Sequence, residues 1–138
     1  QDGNQTGVYA QIYNANGITI GSEFQVNTYI TNIQIMPDIV DLNSGGFVVS
    51  WTSLGQDGWN YGIYAQIFNA DGTTNGGEFQ VNTHTNNSQF DSSITSLPNG
   101  GFVVSWTSSD QDGNDYGIFA QRYDSEGNPL GEVTLNAQ

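Results

Sequence analysis

Six residues near the end of the chain, Asp110-Gln111-Asp112-Gly113-Asn114-Asp115, place three carboxylates and two amides in one loop-sized stretch. Hard cations such as Ca²⁺ take about six to eight oxygen ligands, and closely spaced Asp and Asn on a turn supply several of them at once. Asp110, Asp112, Asn114 and Asp115 are therefore candidate metal ligands, with Ca²⁺ the cofactor they would take. The glutamate that closes an EF-type loop is missing, and an Asp-Gly turn accounts for the pair Asp112-Gly113 without any metal. A second candidate surrounds Trp59, whose neighbours are Asp57, Asn60 and Tyr61. A loop aromatic beside polar groups suits a sugar, the ring stacking on its apolar face and the polar groups meeting its hydroxyls. The plain alternative is a Trp folded over its own loop or held in a contact with another copy.

Catalysis has few instruments here. The chain holds one histidine (His84), no cysteine and no lysine, so nucleophile–base triads are out, and so is a His/Cys zinc site. Only a carboxylate pair of the glycosidase kind remains, which leaves a glycoside hydrolase fragment as a remote alternative. Most acids stand at turns or at positions that recur, whereas an active site needs residues that break the repeat. The expectation is a protein that is not an enzyme.

Charge narrows the partners. One basic residue, Arg122, faces 14 acidic ones, for a net charge of −13. That balance argues against nucleic acid and anionic membrane surfaces, which are engaged through Lys and Arg. No apolar run is long enough to insert into a membrane. The absence of cysteine excludes a disulfide framework.

The elements that carry these loops repeat. Phe47 and Trp51 recur as Phe102 and Trp106, and Val8 recurs as Ile63 and Ile118, each time 55 residues on. Runs rich in Val, Ile, Tyr, Phe and Thr alternate with Asn-Gly, Asp-Gly and Gly-Gly turns, which predicts ten strands and no helix. Strands at Phe47–Thr52 and Phe102–Thr107 are apolar on both faces, as are those at Ile63–Asn69 and Ile118–Tyr123, so both faces should be covered. The strand that starts at Glu23, Glu78 or Glu132 is half polar and reads as an outer edge, its glutamate an exposed charge that discourages sheet pairing.

The expected fold is all-β, with propeller-like tandem four-stranded antiparallel blades numbering about 2.5, and a β-sandwich or solenoid as alternatives. The division is a half blade at 1–35 and full blades at 36–90 and 91–138. Trp51 and Trp106 belong to the core, and function is to be sought where one copy departs from the others, as at Trp59 and Asp110.

The string Gly-Gly-Phe-Val-Val-Ser-Trp-Thr-Ser, followed by Gln-Asp-Gly, Gly-Ile-Tyr-Ala-Gln-Ile-Phe-Asn-Ala-Asp-Gly and Glu-Phe-Gln-Val-Asn-Thr, resembles repeats of very large secreted bacterial proteins of the calcium-binding haemolysin-type and cadherin-like adhesin kind. The resemblance covers essentially the whole chain. It implies an extracellular, structural or adhesive role, with self-association through open blade edges or further repeats of a longer chain, and glycans as the alternative partner. The Gly-Gly-x-Gly-x-Asp nonapeptides that bind calcium in such proteins are absent, so calcium is not carried over on that motif.

Overall fold

The computed structural model describes residues 6–113 and 115–136. Ten strands follow one another with no helix among the described residues: β1 (Tyr9–Tyr13), β2 (Thr19–Gln25), β3 (Gln34–Leu42), β4 (Gly46–Leu54), β5 (Tyr61–Asn69), β6 (Phe79–Gln80), β7 (Gln89–Ser96), β8 (Phe102–Ser109), β9 (Tyr116–Tyr123) and β10 (Pro129–Thr134). All pair antiparallel with their sequence neighbours, forming a β1–β2 hairpin and two four-stranded meanders, β3–β6 and β7–β10. These are called the first, second and third units below. The fold is all-β and antiparallel, and its stacked sheets are equally those of a sandwich.

Local chemistry sets the turns. Asn14 Oδ1 accepts the N–H groups of Asn16 and Ile18 at 2.9 and 3.0 Å, and Asp124, 110 residues on, accepts those of Glu126 and Asn128 at 2.9 and 2.8 Å. Such side-chain turns leave a left-handed position that glycine fills at no steric cost, here Gly17 and Gly127 with φ of 76° and 83°. The Asn128 amide, followed by backbone N–H groups, holds the Asp124 carboxyl below the usual range, and Thr73 does the same for Asp71 in the corresponding turn of the second unit.

The opening strand of each meander is longer than the sequence pattern suggests. The alternating runs begin at Pro37 and Ile94, but the strands start at Gln34 and Gln89 and cross a register shift where Met36 and Asp91, again 55 residues apart, adopt φ of 54° and 55°. A bulge inserts an extra residue and breaks the alternation of faces, which hides the strand from a period-two reading.

The sheets stack face to face. Phe47, Val49, Trp51, Tyr64 and Phe68 of the second unit pack on Val8, Ala10, Phe24 and Val26 of the first. On its other side the second unit offers Val48, Ile63, Ala65, Ile67 and Val81 to Ile94, Phe102, Val104, Trp106, Phe119 and Tyr123 of the third. The aromatic geometry repeats. Phe47 stacks on Phe68 at 5.1 Å as Phe102 does on Tyr123 at 4.6 Å, and Phe24 tilts onto Phe68 at 5.5 Å as Phe79 does onto Tyr123 at 5.4 Å. Trp51 and Trp106 are fully buried, and truncating a Trp at such a place costs about 3–5 kcal/mol. Gly46 and Gly101 are glycines because a Cβ would run into the backbone carbonyl of Phe68 or Tyr123 across the sheet.

Candidate functional site

Two loops join the second strand of a unit to the third, between β4 and β5 and between β8 and β9. Gly55 N–H closes the first onto Asn60 O at 2.6 Å, and Asp110 N–H closes the second onto Asp115 O at 3.2 Å. Gly55 and Asp110 both hold positive φ, 71° and 57°, so Asp110 is a residue standing where its sister loop uses glycine. Asp is among the few residues that tolerate that conformation.

The carboxylates expected to serve a ligand have different surroundings. Asp57 Oδ1 accepts the N–H of Trp59 and Oδ2 accepts the amide of Gln80, both at 3.2 Å. Its Oδ2 also lies over Gly62, where a Cβ would approach to 2.8 Å, and Asp112 Oδ2 lies over Gly117 in the same way. Asp110 Oδ2 meets the Asn87 amide at 3.4 Å, and Asp115 is exposed. Asn114 lies outside the described residues. Among the described residues no three His, Cys, Asp or Glu converge as metal ligands would.

Trp59 is 65% exposed beside the exposed Asn60 and does not fold over its own loop. Tyr61 separates from it. With its counterpart Tyr116, Tyr61 lines a cleft of about 370 Å³ between the second and third units. Ile35, Met36 and Phe90 complete the apolar wall, Ser88 and Ser109 contribute hydroxyls, and Thr52 lines the cleft with its own hydroxyl buried. Phe90 meets Tyr116 edge to face at 6.1 Å.

A set of residues that the loop-centred reading passes over joins one unit to the next. Asn27 Oδ1 accepts the N–H of Val8 at 2.7 Å, in place of a ladder carbonyl, while its amide nitrogen donates to Tyr29 O and to Gln34 Oε1 of the second unit at 2.9 and 3.3 Å. Asn82 repeats this with Ile63 N–H at 2.7 Å, His84 O at 2.7 Å and Gln89 Oε1 of the third unit at 3.1 Å. All four side chains are buried. The edge glutamates clasp as well. Glu78 accepts the N–H of Thr28 of the preceding unit at 2.7 Å, and Glu132 that of Thr83 at 2.9 Å. Each also takes an amide from the loop between the second and third strands of its own unit, Gln56 for Glu78 and Gln111 for Glu132. Glu78 and Glu132 are thus half-buried joints rather than exposed edge charges, because a strand edge facing a neighbouring sheet offers a free N–H that a carboxylate satisfies strongly. The signal was in the sequence: Val-Asn-Thr at Val26 and Val81, and Gln34 and Gln89, keep the 55-residue spacing at polar positions.

Burial, then Asp57 and Glu78, push the Tyr64 phenol well above its ordinary value, and burial followed by Glu132 does so for Tyr123. These hydroxyls stay protonated and do not act as bases.

Fold and site together define an all-β repeat protein whose polar chemistry is concentrated in the joints between units. No protein-family model matches the chain, and no curated protein matches it.

Proposed function

We propose that the chain is a propeller-like repeat module of an extracellular, non-catalytic protein, of the adhesin kind its repeat resembles, that works by adhesion or self-assembly. The observation that carries this reading is the outer face of the third unit. Ile63 and Val81 are buried in the joint between the second and third units, but their counterparts Ile118 and Leu135 are 38% and 58% exposed. At the other end of the stack Tyr13 and Ile39 are exposed too. Covering such side chains contributes about 1 kcal/mol or more each, since full burial of one is worth about 1.5–3 kcal/mol. Meanders stacked by one recurring joint are the units from which propellers are built, and a high negative charge suits a secreted, soluble surface. Light scattering across a concentration series tests the assembly: the chain should associate, and the double variant Ile118→Asp, Leu135→Asp should not. A chain that stays monomeric at every concentration overturns it.

A lectin-like module is the second reading, favoured by the cleft between Tyr61 and Tyr116, whose rings and hydroxyl neighbours have the makings of a sugar subsite. A glycan array tests it with Tyr116→Ala and Trp59→Ala beside the parent chain. Binding lost in Tyr116→Ala supports the cleft, binding lost only in Trp59→Ala moves the site to the loop, and silence of the parent overturns the reading.

A further inference from the structure

The third unit carries the joint of the first two with one half unfilled. Asn136 stands where Asn27 and Asn82 stand, and its Oδ1 already accepts the N–H of Ile118 at 2.6 Å. Leu135 N–H bonds Ile118 O at 2.7 Å, just as Val81 bonds Ile63 and Val26 bonds Val8 at 2.8 and 2.9 Å. In the first two units the amide of that Asn is met by a fully buried glutamine of the next unit, Gln34 or Gln89. No glutamine meets Asn136 among the described residues.

We propose that the outer face of the third unit is a socket for one further unit of this same repeat. A glutamine on that unit's first strand seats on Asn136, and a Phe-x-Val-x-Trp second strand covers Ile118 and Leu135. The inference rests on the assembly reading above and names the partner of the same face. The occupant follows from continuity, because this contact is made twice already with the same residue types in the same places. It also follows from what a second folded copy lacks. Its Phe47, Val49 and Trp51 are covered by its own first unit, and its Phe102, Val104 and Trp106 by its second. A second copy can butt against the socket, but it has no uncovered strand of the right kind to fill it.

Charge agrees at the rim. Arg122 replaces Ile12 and Ile67, the residues against which the turn glycines Gly72 and Gly127 of the following unit rest. In both complete units that turn is acidic, carrying Asp71 in one and Asp124 with Glu126 in the other. The one basic side chain of the protein therefore lies where a further unit would bring carboxylates.

The test extends the chain by a second copy of residues 83–136 placed directly after Asn136. Hydrogen exchange is read at the Ile118 amide. In the extended chain it should slow by about tenfold or more, toward the rate of Ile63, and the change Gln89→Ala made in the appended copy alone should undo most of that slowing. Equal exchange at Ile118 in both chains overturns the proposal, including the case where tryptophan fluorescence shows the appended unit unfolded. Both chains are read at a dilution where light scattering finds the unextended chain monomeric, and slowing at Ile118 that the appended Gln89→Ala leaves intact also overturns it. The assembly reading is judged separately, by the light scattering of the unextended chain.

Discussion

Replacing Asn82 by alanine should unsettle the protein far more than the same change at Asn136, although the two residues occupy the same place in successive units. Asn82 makes three hydrogen bonds, to Ile63 N–H, His84 O and Gln89 Oε1. Ile63 and Gln89 are fully buried. Alanine leaves both their groups without a partner, and a buried orphan costs about 1–3 kcal/mol, so Asn82→Ala should cost about 3 kcal/mol or somewhat more. Among the described residues Asn136 makes one such bond, at an open edge where water replaces it, and its loss should cost about 0.5–1 kcal/mol. Urea unfolding followed by tryptophan fluorescence reads the difference. With a slope of about 2 kcal/mol per M for a chain of this size, Asn82→Ala should move the midpoint by about 1.5 M and Asn136→Ala by well under half of that. Equal shifts, within about 0.5 kcal/mol, would refute the claim that the Asn–Gln pair joins the units.

Three further outcomes are expected. Trp106→Ala should destabilise by about 3–5 kcal/mol, as a fully buried indole in the larger core cluster, whereas the exposed Trp59→Ala should stay within about 0.5 kcal/mol of the parent in the same urea assay. The raised phenol pKa values of Tyr64 and Tyr123 give stability that is whole below the ordinary value of 10.0 and is lost as pH rises beyond it, so two of the seven tyrosines should ionise only as the chain unfolds, seen as a late step in phenolate absorbance. A chelator should leave the melting temperature unchanged, because Asp110 is held by Asn87 and Asp112 is turned over Gly117; a clear fall would place a cation in that loop.

Much of the fold was legible because its punctuation is local. Each Asn-Gly or Asp-Gly turn names its own left-handed residue, and the runs between fit strands and nothing else, so ten strands read from the sequence are ten strands in the structure. The opening strands were cut short because Met36 and Asp91 sit in bulges, and a bulge reverses which residues face inward. The half-polar edge strand misled for another reason. Its Glu and Asn were weighed against water, but they face a neighbouring sheet, and a polar residue in a strand reads the same whether its partner is solvent or the next unit's backbone.

That ambiguity also explains why the candidate site shifted. Spacing within one loop brought Asp110, Asp112 and Asp115 together on paper, whereas in the structure Asp110 meets Asn87 of another loop, Asp112 lies over Gly117 and Asp115 is exposed. Groups that do converge across elements, Asn82 with Gln89 and Glu132 with Thr83, come from residues 7 and 49 apart in the chain. Their recurrence, at 55 residues or at 54 for Glu132, was the only mark they left in the sequence. In a stack of like units a polar residue that recurs on a face covered by the next unit has no solvent to satisfy it, so it must find its partner in the joint. The joint is then the part of the molecule whose chemistry is most specific, and the open face around Asn136 is where that specificity is still unspent.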